Sequence, residues 1–183
     1  MILFTGCSYT YGDELDNPEK ERYSSYFEGK NIARCGWSND SIVRSVIENE
    51  KGYDKVVVQL TKIERMYHPK TDYSINQDRC RNFYAEYYED EIGIENYWKN
   101  VWVLRRLLGD RLVLLSILRP PSCIWTEDCE MIVIRDIIGL PPYSRRQRLW
   151  RRPNKNYKVY GHPSAEGHKI IADKLSEVLN SNV

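Results

Sequence analysis

A chain of 183 residues fits one domain on a prior of about 150 residues per domain, and a fold of that size buries roughly 70% of its surface without a disulfide or metal staple. Hydrophobic residues at 42% and charged residues at 29% exclude a disordered or collagen-like polymer. Lysine and arginine (27) balance aspartate and glutamate (26), so no global field draws the chain to nucleic acid or to a membrane.

The first strand is expected at once, over Ile2-Leu3-Phe4-Thr5, broken by Gly6. So early a run reads as an interior strand, because a frayed terminus would leave its backbone groups unpaired. Asn17 to Arg22, polar and holding Pro18, reads as a loop, Tyr23 to Glu28 as one or two helical turns, and Asn31 to Arg34 as a short strand. Ser38-Asn39-Asp40 caps a helix whose apolar stripe is Ile42, Val43, Val46 and Ile47, stopped by Gly52. Lys55 to Leu60 and Leu112 to Leu118 are continuous apolar runs, the pattern of parallel strands buried on both faces. A helix is expected between them over Ile94–Leu108, a further one over Glu127–Ile138, and an amphipathic tail helix over Ser164–Leu179 with Ile170, Ile171, Leu175 and Val178 inward. Alternating strand and helix define a parallel sheet with both faces covered.

Two stretches break the alternation. Residues 64–95 are rich in tyrosine (67, 73, 84, 87, 88) and carboxylates, and read as an insertion over one edge of the sheet. Residues 145–152 place five arginines in eight positions around Trp150. A charge run is usually a solvated face; phosphate contacts with a base stacked on indole are the rival reading, which the neutral net charge weakens. Five cysteines (7, 35, 80, 123, 129) show no zinc-finger pairing and read as reduced thiols of a cytoplasmic protein. No apolar run reaches the ~18 residues of a membrane span, and the N-terminus lacks the basic start of a signal peptide.

Chemistry concentrates at the two ends. Strand 1 runs into Gly6-Cys7-Ser8-Tyr9-Thr10-Tyr11-Gly12, which places the Ser8 hydroxyl where open α/β sheets bind ligands; a tight turn with Ser8 or Thr10 as a helix cap is the plain alternative. Near the other end, Gly161-His162-Pro163-Ser164 puts His162 on a loop just outside a helix that Ser164 caps. His168 falls inside that helix and reads as a packed, hydrogen-bonded histidine, and His68 as a surface residue. No carboxylate or thiol completes a metal-ligand spacing with the histidines.

These blocks resemble those of the SGNH (GDSL-like) hydrolases. Gly6-Cys7-Ser8 with Thr10 and Gly12 is similar to the first block, Asn31 to Asn39 around Gly36 to the second, and His162-Pro163-Ser164 with Gly167-His168 to the last. The opening also looks like that of small SGNH-like proteins carried by bacteriophages. The resemblance covers the chain from end to end. It implies a single domain over residues 1–183 with a flavodoxin-like three-layer α/β/α sandwich and about five parallel strands. It implies a Ser8 nucleophile, a His162 general base, and an oxyanion hole from the Ser8 and Gly36 N–H groups. The expected substrate is a small-molecule ester or acylated carbohydrate, with no metal or organic cofactor and no membrane or nucleic-acid partner; the oligomeric state is left open.

The chain also departs from the pattern. Val159 stands where the family has an aspartate three residues before the histidine, and Ile63 where it has an oxyanion asparagine. A backbone carbonyl is therefore expected to orient His162, and Asn39 or Thr61 to supply the third oxyanion donor. A protein that keeps the fold but has lost the chemistry, serving as a binding or virion-associated module, is the alternative function.

Overall fold

The computed structural model describes residues 1–67, 86–121, 130–138, 158–159 and 162–181. Its main sheet has five parallel strands in the order β2-β1-β3-β4-β5: β1 is Ile2–Thr5, β2 Gly29–Asn31, β3 Lys55–Leu60, β4 Leu112–Ser116 and β5 Ile132–Val133. That is the flavodoxin-like order, in which ligands sit beyond the carboxyl ends of β1 and β3, where the chain switches direction across the sheet.

Period-two alternation sends neighbouring residues of each strand to opposite faces. Leu3, Val56, Val58 and Leu114 pack on one face against α3 (Asn39–Asn49) and α4 (Asp90–Leu108). Phe4, Val57, Val113 and Leu115 pack on the other face with Tyr23, Ile171 and Leu175, the last two on the C-terminal helix α6 (Ala165–Ser181). Both faces are covered, as the continuous apolar strands require.

Several expectations shift by a few residues. Ser38 caps α3, its hydroxyl accepting the Ser41 N–H at 3.3 Å, but Ile47 lies 55% exposed rather than on the buried stripe. The second strand begins at Gly29 and ends at Asn31; beyond it, Ile32 and Arg34 still donate to the Phe4 and Gly6 carbonyls, so the pairing with β1 carries on to the sheet rim. The expected loop at Asn17–Arg22 contains one helical turn, α2 (Pro18–Glu21). Proline at its first position has no N–H to lose, and the Glu21 carboxylate accepts the Asn17 N–H at 3.0 Å. The turn at Tyr23–Tyr26 is 3₁₀.

The long helix starts at Asp90, inside the expected insertion, whose residues 68–85 lie outside the described ones. In place of the helix over Glu127–Ile138, the described part is strand β5 followed by the single turn α5 (Ile134–Ile137). The arginine cluster, His68, Cys80, Cys123 and Cys129 also lie outside the described residues, while Cys7 and Cys35 are free thiols.

Candidate active site

The turn after β1 is built around Gly6. A Cβ there would meet Gln59 atoms at 2.8 and 2.9 Å, so only glycine lets the chain pass β3 this closely. Cys7 then precedes the four-residue helix α1 (Ser8–Tyr11), its carbonyl accepting the Thr10 and Tyr11 N–H groups. The fully buried Gln59 of β3 holds this turn: its Oε1 accepts the Cys7 N–H at 3.1 Å and the Thr10 hydroxyl at 3.2 Å, while its Nε2 donates to the Leu60 carbonyl at 2.6 Å. The Thr10 hydroxyl shares a 2.7 Å bond with the Tyr23 phenol, whose ionisation burial pushes well up. A buried polar network with its members paired fixes geometry strongly, and this one fixes the backbone that carries Ser8.

His162 reaches Ser8 from the far end of the chain. It sits in β7 (His162–Pro163), a two-residue strand paired antiparallel with β6 (Lys158–Val159), rather than on the open loop expected. Ser164 caps α6 as read from sequence, accepting the Gly167 N–H at 3.3 Å. The His162 Nε2 lies 2.9 Å from the Ser8 Oγ, and the Tyr9 ring meets the imidazole edge-on at 5.3 Å. Two residues 154 positions apart in sequence are thus in hydrogen-bond contact.

The other imidazole nitrogen carries the main correction. Where a backbone carbonyl was expected, the Glu14 carboxylate lies 3.0 Å from Nδ1. Nδ1 is shielded from solvent and has no aligned hydrogen bond among the described residues, so the contact has ion-pair distance without ideal direction. Such looseness is common in catalytic groups before substrate binds. Glu14 is reached through a strained backbone: its φ of +66° makes it the one non-glycine residue at positive φ among those described. No sequence pattern marks it, because the acid follows Ser8 by six positions instead of standing three residues before His162. Asp13 stands further off, 4.0 Å from Nε2.

The candidate oxyanion groups divide. Gly36 takes a left-handed φ of +80° in the turn that follows the Arg34-to-Gly6 bond, at the rim where Ser8 lies. Asn39, expected as a donor to substrate, spends its amide on the rim itself: Oδ1 accepts the Thr61 N–H at 2.8 Å and Nδ2 donates to the Thr61 carbonyl at 3.3 Å. The Thr61 hydroxyl, on a residue only 3% exposed, has no hydrogen-bond partner among the described residues. Burial first, then the nearby Asp13 carboxylate, push the thiol of Cys35, next to Gly36, up to about 12, so it stays protonated at neutral pH.

No protein-family model matches the chain, and no curated protein matches it. Solved structures do. A GDSL-like lipase from Bacteroides thetaiotaomicron aligns over 100% of this chain and 88% of its own, with a TM-score of 0.56 at 11% identity. A member of the lipolytic G-D-S-L family from Veillonella parvula covers 98% and 97%, with a TM-score of 0.53 at 11% identity. A psychrotrophic esterase from Pseudoalteromonas sp., in a structure inhibited by monoethylphosphonate, covers 98% and 96%, with a TM-score of 0.52 at 11% identity. The chain has the α/β/α fold of the SGNH (GDSL-like) hydrolases. At such identity the likeness establishes the fold alone.

Proposed function

We propose that this protein is a serine esterase or deacylase acting on an ester of a small acyl group or of a carbohydrate. The observation that carries the reading is the 2.9 Å contact between the Ser8 Oγ and the His162 Nε2, backed by the Glu14 carboxylate 3.0 Å from Nδ1. Ser8 attacks the ester carbonyl carbon while its proton passes to Nε2. The C–O bond to the alcohol then breaks, His162 returns the proton to the leaving alkoxide, and an acyl-serine remains. Water, deprotonated by the same nitrogen, releases the acid and restores Ser8. Throughout, Glu14 holds the proton on Nδ1 and balances the imidazolium. The N–H groups of Ser8 and Gly36 hold the tetrahedral oxyanion, with the Thr61 hydroxyl as third donor. One such donor is worth about 10²–10³ in turnover.

The test is hydrolysis of p-nitrophenyl acetate and butyrate by wild type and Ser8→Ala, with fluorophosphonate labelling alongside. Wild type should cleave and label, and the alanine variant should do neither. Hydrolysis that persists without the hydroxyl would exclude this mechanism. Failure of a folded wild type to label would favour the second reading, a binding module, which the replacement of the family's oxyanion asparagine by Ile63 supports.

A further inference from the structure

A concavity lies beside the loop that carries Gly36 and Trp37. The continuation of β2 and the outer flank of α3 enclose a cleft of about 420 Å³, lined among others by Arg34, Trp37, Arg44, Glu48 and Tyr67. That volume falls within the ~300–1,000 Å³ range of small-molecule sites. Its wall on α3 is Ser41, Arg44, Ser45, Glu48 and Asn49, one stripe at helical spacing, while the helix turns Ile42, Val43 and Val46 to the core.

The arginines are placed unusually. Arg44 precedes Glu48 by four positions, the spacing at which opposite charges on a helix ordinarily meet, yet they form no ion pair. Arg44 instead lies 5.1 Å from the centre of the Tyr67 ring and donates to its phenol oxygen at 2.7 Å. Arg34 lies 5.7 Å from the centre of the Trp37 ring. Neither guanidinium meets a carboxylate among the described residues, and both side chains are exposed. Contact with a ring restrains a guanidinium; Arg44 gives one N–H to the Tyr67 phenol, and the N–H groups left on the two arginines match carboxylate and phosphate oxygens in pairs. Two rings with polar edges beside it suit the body of a sugar. Trp37 directly follows Gly36, so the cleft and the proposed oxyanion turn share one loop, which Arg65 steadies by donating to the Trp37 carbonyl at 3.4 Å.

We propose that this cleft binds an anionic sugar, its carboxylate or phosphate held by Arg34 and Arg44, and that it anchors the charged part of the substrate. The second half of the proposal rests on the hydrolase reading; the binding itself does not.

The binding arm is calorimetry on Ser8→Ala, which cannot turn substrate over, with glucose, glucuronate and glucose 6-phosphate at low salt. At least one anionic sugar should bind and glucose should not, with affinity that falls as salt rises. The comparison of the two anions identifies carboxylate or phosphate as the preferred group. In R34Q/R44Q the affinity should drop tenfold or more; R44K, which keeps the charge and loses the fork, should fall between. Equal behaviour of glucose and both anions, or unchanged affinity in R34Q/R44Q and R44K, would overturn the proposal. The second arm asks whether the bound anion inhibits p-nitrophenyl acetate hydrolysis by wild type. Inhibition supports the substrate role, and hydrolysis indifferent to a saturating anion removes it. Absence of any hydrolysis counts against the esterase reading and the substrate role together, while calorimetry still decides the binding.

Discussion

Glu14 couples backbone strain to a charge, and the two can be separated by substitution. A non-glycine residue held at φ +66° costs on the order of 1–3 kcal/mol, a cost the fold bears while the carboxylate faces Nδ1 of His162. Glu14→Gln keeps the strain and removes the charge. It should lower kcat by a factor approaching ~10⁴, the cost of a wrongly held histidine tautomer, with KM and thermal midpoint little changed; Glu14→Asp should recover part of the loss. Glu14→Gly removes both, so it should be equally slow yet at least as stable as wild type in urea. A glutamine variant with wild-type kcat would dismiss Glu14 as a positioning group. None of this was legible in the sequence. Ser8 and His162 could be read because each sits in a run whose glycine, proline and hydroxyl spacing has a mechanical meaning. Asp13-Glu14 is a pair of surface-type carboxylates after a glycine, and nothing local says that the second one turns inward.

At the scale of elements, the candidate site depends on how closely β1 and β3 let the Ser8 turn approach. Continuous apolar runs announced both strands, and Ser38 announced the start of α3, because these signals are local. The short elements α2, β5 and α5 gave no such signal: a single turn or a two-residue strand is shorter than the hydrophobic period that would reveal it, and its existence depends on neighbours already in place. The buried Gln59 was equally hidden, since a glutamine in a strand reads as polar until the turn it serves is seen. Gly6→Ala probes that arrangement. The added methyl would press on the Gln59 side chain, and overpacking of this kind typically costs about 1–3 kcal/mol. The urea midpoint should fall accordingly. Fluorophosphonate labelling of Ser8 should slow at temperatures where the variant remains folded, because the methyl displaces the turn before it unfolds the sheet. Unchanged stability and labelling would mean that the turn has slack that the contacts do not show.

Across the whole molecule, the C-terminal helix is what brings the two ends of the chain together, and His168 is its polar anchor. The imidazole is fully buried, its Nδ1 accepts the Tyr23 N–H at 3.2 Å, and its ring stacks on Tyr23 at 5.8 Å. With Nδ1 accepting, the proton of the neutral ring is on Nε2, which is buried without a partner among the described residues. Burial first, then the neighbouring His162, lower its pKa from 6.5 to about 4. Between those values the unfolded chain binds a proton that the native fold refuses, so stability rises with pH across this window and is lost as pH falls from 6.5 towards 4. At ~1.4 kcal/mol per pH unit the full loss is on the order of 3–4 kcal/mol, a large share of the ~5–15 kcal/mol of a typical domain. Denaturant unfolding between pH 7 and pH 4 should show this slope, superposed on that of the carboxylates. His168→Gln, which does not titrate, should be less stable at pH 7 and distinctly flatter below 6.5. Because α6 follows directly from β7, the acid-weakened anchor should also release His162 from Ser8, so ester hydrolysis in wild type should become more sensitive to mild denaturant at pH 5 than at pH 7. A His168→Gln variant with an unaltered slope would place the acid sensitivity of the fold elsewhere.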